Sequence, residues 1–137
     1  MSQAYLLDTN VVSHMMQGRD AALLARLTRL PVDEVVISSV SLAELEYGLH
    51  RRGQPIRLRN ALAQLLLRMD VLPWDEKVAV CYGELCSALE AKGINLSDFD
   101  MMIAAHAVAA GCTLISRDKA FASVAKAFPK RLKLEVW

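Results

Sequence analysis

The sequence predicts an α/β fold, with a mostly parallel sheet of four to five strands covered by helices on both faces. Short apolar runs alternate with longer segments whose apolar residues recur at helical spacing, as in strands joined by crossover helices. The runs are rich in Val, Ile and Leu, which is typical of strands buried on both faces. The 137 residues are enough for one domain with a substantial core, which we place at residues 1–137.

Five apolar or β-branched runs predict the strands, and the amphipathic segments between them predict the helices. The strands are expected at residues 5–7, 35–38, 70–72, 113–115 and 132–136. The helices are expected at about residues 11–15, 20–30, 41–53, 56–69, 75–91, 98–111 and 119–127. Three residues mark helix ends: Asp20 can cap the second helix, Pro31 ends it, and Gly93 closes the fifth.

The composition limits the class of protein. No apolar run approaches the ~18 residues of a membrane span, and the first residues lack the pattern of a signal peptide. The three cysteines are an odd number without a CxxC pair, which indicates reduced, buried thiols and argues against disulfides and a zinc site. We therefore expect a cytoplasmic protein without a membrane anchor.

The net charge of +1 conceals a division along the chain. Residues 51–68 contain five arginines and no acid, and residues 117–133 contain six basic residues against Asp118 alone. Residues 70–100 contain seven acids and only two lysines. This arrangement suits a polyanion held by its backbone near an acidic, metal-binding centre. Each basic stretch taken alone is better explained as a solvated helix face.

Four acids are predicted at strand-to-helix junctions or helix starts. Asp8 follows the first strand, Asp118 follows the fourth, and Glu44 and Asp100 lie in the first turns of helices. The carboxyl ends of parallel strands meet at one edge of the sheet, where ligands bind. Four neighbouring carboxylates repel one another unless a divalent cation compensates, and all-oxygen ligands indicate Mg²⁺ or Mn²⁺. Such sites activate water for phosphodiester hydrolysis.

Each acid also has a structural explanation. Ser41 and Glu44 match the capping-box pattern, in which the carboxylate returns to the backbone at the helix start. Ser97 and Asp100 match it as well, and Asp98 is the rival cap of that helix. Only the convergence of several acids at one edge favours chemistry.

Other polar residues give weaker signals. His14, His50 and His106 share no ligand spacing, and His106 lies on an apolar helix, where a hydrogen-bonded core histidine is expected. Asn10 or Thr9 is expected to cap the first helix, with orientation of a metal-bound water as the alternative role of Thr9. Tyr47 is expected to pack between helices, with base stacking as its alternative.

Four motifs, taken in chain order, resemble the PIN domain and, more closely, VapC-type toxins of bacterial toxin–antitoxin pairs. They are LLDTN at 6–10, SxxSLAELEYG at 38–48, DxxIAAHA at 100–107 and SRDxxF at 116–121. The resemblance covers essentially the whole chain. It implies that the first and fourth strands are adjacent, which brings Asp8 and Asp118 together. It also implies a metal-dependent endoribonuclease with an antitoxin encoded alongside.

By position, Asp8, Glu44 and Asp100 match the three principal acids of the family. Asp118 matches a fourth position that varies between Asp and Asn. The resemblance thus implies that all four residues are catalytic and bind Mg²⁺, for which Mn²⁺ can substitute.

The sequence departs from the family pattern at residues 95–98, where relatives carry a Gly-Pro type turn. Asp98 therefore stands as a second acid beside Asp100, and which of the two does more is open. We prefer Asp100, because Ile103 and the alanines after it follow at the family spacing.

The expected function is that of a toxin endoribonuclease acting on tRNA or another structured RNA. One alternative is a PIN domain that cuts nothing and serves only in a partner-bound repressor. The other is a haloacid-dehalogenase-like phosphatase, which requires a second acid two residues after Asp8, where Asn10 stands.

The helix pair at residues 41–69 is rich in leucine for a surface feature, and residues 65–67 are three consecutive leucines. One helix face cannot hold all of them, so we expect an apolar patch that marks an interface. The resemblance implies a homodimer, a cognate antitoxin whose basic side chain enters the acidic centre, and contact with operator DNA only through that antitoxin.

Overall fold

Five short parallel strands form one sheet. They are β1 (Tyr5–Leu7), β2 (Val35–Ser38), β3 (Asp70–Leu72), β4 (Thr113–Ile115) and β5 (Leu134–Glu135). Their order is β3-β2-β1-β4-β5, so β1 is central, with Leu6 aligned with Val36 of β2 and with Leu114 of β4. The computed structural model describes residues 4–137, and residues 1–3 of the predicted domain lie outside that part. The adjacency of the first and fourth strands is confirmed.

Seven α-helices connect or follow the strands in the described residues. They are α1 (Thr9–Gln17), α2 (Ala21–Thr28), α3 (Ser39–Arg51), α4 (Ile56–Leu65), α5 (Glu76–Ala91), α6 (Asp98–Ala110) and α7 (Ala120–Ala127). A short 3₁₀ helix, Val32–Glu34, leads into β2 and was not predicted. The predicted α/β class is confirmed.

The strands bury both faces because alternate side chains enter two separate cores. Leu6, Val36 and Leu114 point into the core that contains residues of α5, α6 and α7. Their chain neighbours Leu7 and Ile115 point into the core that contains residues of α1 to α4. The buried strands β1, β2 and β4 are therefore mostly apolar, whereas β3 begins with the exposed Asp70.

Three predicted ends of elements are wrong. Helix α3 begins at Ser39, since Ser38 caps it by accepting a hydrogen bond from the Val40 N–H at 3.1 Å. Helix α4 ends at Leu65, because the N–H groups of Leu67 and Arg68 bond to carbonyls three residues back, as in tight turns. Strand β5 is limited to two residues, since only those pair with β4.

The predicted cap of α2 is confirmed, because the Asp20 side chain accepts a hydrogen bond from the Leu23 N–H at 3.0 Å. The predicted cap of α1 is wrong. Asp8, not Thr9 or Asn10, occupies the N-cap position, and its side chain makes no capping hydrogen bond. The carboxylate of Asp8 is thus left for other contacts.

Among the helices of residues 4–137, none combines the length and the apolar character that crossing a bilayer requires.

We expect Phe121→Ala to destabilise the fold strongly, because Phe121 is fully buried in the core beneath α7. The expected loss in free energy of unfolding is about 3–5 kcal/mol, measured by urea denaturation. The matched control is Phe99→Ala, since the Phe99 side chain is half exposed. A loss as large for Phe99 as for Phe121 would contradict this assignment of the core.

Candidate metal and catalytic site

Asp8 and Asp118 meet at the carboxyl edge of the sheet because their strands are neighbours. Asp8 directly follows β1, and Asp118 lies three residues after the end of β4. The Asp8 side chain is almost fully buried, with 2% of the residue exposed, whereas Asp118 is partly exposed. The parallel pairing of β1 with β4 thus places one buried and one accessible carboxylate side by side.

Ser116 joins these two acids. Its hydroxyl donates a hydrogen bond to Asp8 Oδ2 at 2.9 Å, and its Oγ accepts one from the Asp118 N–H at 3.0 Å. Ser116 itself is buried. Sequence analysis missed this residue, although its place supplied a signal: Ser116 follows β4 as Asp8 follows β1, in the neighbouring strand.

The electrostatics group Asp8 with Asp100 and Asp118. Burial raises the pKa of Asp8 from its ordinary value of 3.8 to about 6, the Ser116 hydrogen bond opposes this, and the charges of Asp100 and Asp118 raise the pKa further. The pKa of Asp100 is also raised, first by burial and in part by Asp118. Burial and neighbouring charge therefore oppose the ionisation of Asp8 and Asp100, which is the situation that a bound cation relieves.

Glu44 reaches the site through Thr9, the residue after Asp8. Thr9 Oγ1 lies 2.7 Å from Glu44 Oε1 and 2.9 Å from Ser41 Oγ. An ionised carboxylate only accepts, so the single hydroxyl proton of Thr9 goes to Glu44 and Ser41 hydrogen-bonds to Thr9 with its own proton. Thr9, which Ser41 holds in place, therefore fixes the orientation of Glu44.

The capping interpretation of Glu44 is wrong. Because α3 begins at Ser39, Glu44 lies in the second turn, beyond reach of the backbone groups at the helix start. The capping role of Thr9 is wrong as well, since its hydroxyl contacts Glu44 and Ser41.

The two acids in the first turn of α6 face different neighbours. Of the two rival caps, Ser97 is the one used, and its side chain accepts a hydrogen bond from the Asp100 N–H at 3.2 Å. The charge of Asp100 raises the pKa of Asp8. Asp98 is exposed, and its charge contributes to the raised pKa values of Tyr82 and Cys86 on α5. The fold therefore brings Asp100, and not Asp98, to the edge of the sheet that carries Asp8.

Two of the weaker candidates have clear outcomes. His106 is a buried, hydrogen-bonded core residue, as predicted, with Nδ1 2.7 Å from Ser38 Oγ. The packing predicted for Tyr47 is wrong, because 66% of that residue is exposed on the outer side of α3.

Within residues 4–137, no three His, Cys, Asp or Glu side chains are arranged as a ready-made metal cage. The donor set nevertheless suits Mg²⁺, which retains several waters and is commonly held by one or two carboxylates. Asp8 and Asp100 are the acids whose ionisation burial opposes most clearly. Asp118 already accepts a hydrogen bond from the Ala120 N–H at 2.9 Å through Oδ1, which leaves its other oxygen available.

A groove of about 210 Å³ lies beside Glu44, between α1, α3 and α4. Thr9, Asn10 and Ser13 of α1 contribute polar atoms to its wall, and Leu45 and Leu49 contribute apolar ones. The groove therefore offers a partner an apolar wall next to Glu44.

Among known protein families, a family model described as PIN domain matches residues 5–127 of this chain. Ribonuclease VapC2 of Rickettsia felis is 31% identical over 115 residues, which span 83% of this chain and 86% of that protein. The tRNA(fMet)-specific endonuclease VapC of Shigella flexneri is 31% identical over 114 residues, with the same coverage of both proteins.

Two solved structures share the fold over nearly the whole chain. The crystal structure of VapBC2 from Rickettsia felis, bound to a DNA fragment from its promoter, has a TM-score of 0.87 at 29% identity, covering 98% of this chain and 99% of that one. DNA-bound VapBC from Salmonella typhimurium has a TM-score of 0.84 at 26% identity, covering 98% of each. The chain therefore belongs to the PIN-domain family and, within it, to the VapC-type proteins.

Proposed function

We propose that this protein is a Mg²⁺-dependent endoribonuclease and the toxin of a toxin–antitoxin pair. The observation that carries the proposal is the cluster of Asp8, Asp100 and Asp118, whose mutual repulsion and burial call for a cation at the edge of the sheet. Family membership supports the reaction, since relatives at 31% identity are named ribonuclease or endonuclease.

In the proposed mechanism, Asp8 and Asp100 would hold Mg²⁺, with Glu44 and Asp118 assisting. The cation would supply the positive charge that activates a water and stabilises the leaving oxygen. Ser116 keeps the Asp8 carboxylate in one orientation, and Thr9 does the same for Glu44. In-line attack of that water on the phosphorus atom would break its bond to the 3′ oxygen and leave a 5′-phosphate and a 3′-hydroxyl. Mn²⁺ substitutes because it takes the same oxygen ligands.

The proposed substrate is tRNA or another structured RNA. The relative from Shigella flexneri is named for tRNA(fMet), which makes tRNA the first substrate to test. Arg51, Arg52 and Arg57 are exposed where α3 gives way to α4, and Arg52 also lines the groove beside Glu44. Their charges suit an RNA backbone led towards the acids. Arg59 is less suited, because it pairs with Glu46 at 2.7 and 2.8 Å.

The proposed partners are a cognate antitoxin and a second copy of the chain, both in the cytoplasm. The matched solved structures are VapBC complexes with DNA bound, which supports an antitoxin through which operator DNA is reached. The groove beside Glu44 is the proposed docking place, with a basic antitoxin side chain among the acids. Most leucines of α3 and α4 are internal, but Tyr47, Ile56 and Leu67 are 66%, 77% and 70% exposed, which supports an interface there.

Of the two alternative functions, the haloacid-dehalogenase-like phosphatase is overturned by membership in the PIN family. The other alternative is a PIN domain that cuts nothing. It predicts that the wild type does not cleave RNA in the first experiment below, because its partner-bound role does not need the acids.

Asp8→Asn and Asp100→Asn are each expected to reduce Mg²⁺-dependent RNA cleavage to the level measured without the metal. Each change removes a ligand charge from the cluster while conserving side-chain volume. The measurement is sequencing of RNA ends after expression of wild type and variants side by side, repeated with purified protein and tRNA.

Asp98→Asn is the matched control, since Asp98 lies in the same helical turn as Asp100 but faces α5. It is expected to cleave at the wild-type rate. Glu44→Gln is expected to lose activity with little change in Tm, because capping no longer explains that residue. Wild-type cleavage by Asp8→Asn would refute the metal-site assignment, and an inactive wild type would favour the alternative that cuts nothing.

Asp8 is also expected to destabilise the metal-free protein as the pH rises from about 4 to about 6. The folded-state pKa of about 6 lies above the ordinary 3.8, so the folded state binds the proton more tightly and loses stability when it leaves. Asp8→Asn does not titrate, so its advantage over wild type should grow by on the order of 2–3 kcal/mol between pH 4 and pH 7.

Urea denaturation in EDTA at several pH values measures this difference. The control is Asp33→Asn, an exposed carboxylate in the 3₁₀ helix, which is expected to follow the wild-type pH profile. If the difference in free energy of unfolding between Asp8→Asn and wild type does not change with pH, burial does not raise the pKa of Asp8.

The isolated chain is expected to sediment as a dimer at micromolar concentration, and Leu67→Glu is expected to shift it towards monomer. The reason is that a charge replaces an apolar group within the proposed interface. Val80→Glu is the control, because Val80 is similarly exposed, at 62%, but lies on α5. A wild-type chain that sediments as a monomer, both alone and with antitoxin, would contradict the dimer. The antitoxin is tested separately: full inhibition by an antitoxin whose basic side chain has been removed would contradict the insertion of that side chain among the acids.

A further inference from the structure

A polar pair lies in the core between α3 and α6. His106 of α6 is 2% exposed, and Ser38, at the end of β2, is completely buried. Their side chains meet with His106 Nδ1 2.7 Å from Ser38 Oγ. A buried neutral hydrogen bond contributes only about 1 kcal/mol net to stability, and well-packed apolar side chains can replace such a pair. Stability alone does not explain the pair, whereas a need for one defined arrangement does.

The Ser38 hydroxyl has two contacts. Its Oγ accepts a hydrogen bond from the Val40 N–H at 3.1 Å, and the same Oγ lies 2.7 Å from His106 Nδ1. Burial lowers the pKa of His106, which favours the neutral ring. A hydroxyl both donates and accepts, so the contact forms with either tautomer of that ring.

Trp74 provides a second bridge between the same two helices. Its backbone N–H donates to Ser39 Oγ at 3.0 Å, and its indole Nε1–H donates to the Met102 carbonyl, also at 3.0 Å. One end of this bridge is thus the first residue of α3, and the other is the second residue after Asp100. The start of α3 is thus tied to α6 at two separate points, Met102 in the first half of α6 and His106 in the second.

Both bridged helices carry an acid of the candidate site. Glu44 comes six residues after Ser38, and Asp100 comes six residues before His106. Because an α-helix is a stiff rod with a fixed rise per residue, the bridges determine how the two acids lie relative to each other. Displacing a catalytic group by about 1 Å can cost roughly 100-fold in rate, so such a constraint matters to catalysis more than to folding.

We propose that His106 and Ser38 are positioning residues, which set the place of Asp100 on α6 relative to Glu44 on α3, with Trp74 as a second tie. This role rests on the proposed nuclease function for its kinetic consequence, but the geometric constraint itself is independent of the reaction. Neither His106 nor Ser38 touches substrate; both act through the helices that they join.

The experiment compares His106→Leu with His106→Asn. Leucine fills the space without a polar atom, whereas the asparagine amide oxygen can take the place of Nδ1 and accept the Ser38 proton. We expect His106→Leu to lower kcat for RNA cleavage about 10- to 100-fold with KM little changed. His106→Asn should recover most of that loss.

Each variant is assayed well below its own Tm, so that a loss of stability is not counted as a loss of activity. Trp74→Phe serves if His106→Leu does not fold, since it removes the indole N–H from a partly buried ring outside the pair. It is expected to lower kcat by a smaller factor. Wild-type kcat in every folded variant, or equal losses for leucine and asparagine, would overturn the proposal.

If the wild type cleaves no RNA, the proposed function fails while the positioning role is still decided by NMR. The Asp100 amide signal in a ¹H–¹⁵N spectrum is expected to shift in His106→Leu and to return towards the wild-type position in His106→Asn. An Asp100 signal that stays in place in His106→Leu would overturn the positioning role without any reference to activity.

Discussion

The burial of the Asp8 carboxylate at the end of the central strand is the constraint that shapes the rest of the site. Burial makes the ionised form costly, and the charges of Asp100 and Asp118 add to that cost. The Ser116 hydrogen bond opposes it and, in the same contact network, holds the backbone of Asp118. A fold selected only for stability gains nothing from this arrangement. The arrangement is explained if the missing charge comes from a ligand, which is how functional sites commonly trade stability for chemistry.

The sequence predicted those parts of the fold and site that depend on periodicity and on strand ends. Continuous apolar runs locate β1, β2 and β4, and their parallel arrangement determines which ends of the strands share an edge. That was enough to place Asp8 and Asp118 at one edge of the sheet, whereas the adjacency of β1 and β4 was implied by the resemblance to the PIN domain and is confirmed by the strand order. It was not enough for Glu44, because Ser38 and Ser41 are both good caps and only the structure shows that Ser38 is the one used. Local capping patterns cannot rank two candidates three residues apart when tertiary contacts decide between them.

The hydroxyl groups show the same limit from another side. Thr9, Ser41 and Ser116 orient the acids through contacts between residues 32, 35 and 108 positions apart in the chain. No spacing pattern in the sequence reports pairs so distant. Sequence reasoning therefore found the charged groups, whose type alone indicates chemistry, and missed or misassigned the neutral groups that orient them. The same explanation applies to Ser38 and His106, which are 68 positions apart.

The crowding of the acids also explains how one site can be both activated and inhibited under the proposed function. A divalent cation and a basic side chain from a partner each supply positive charge where Asp8, Asp100 and Asp118 repel one another. Only the cation also activates water. The groove beside Glu44 gives a partner segment a place to bind next to that acid, with apolar contacts along α3 to hold it there. Inhibition then needs no change of fold, because the inserted charge relieves the same electrostatic cost that otherwise favours the metal.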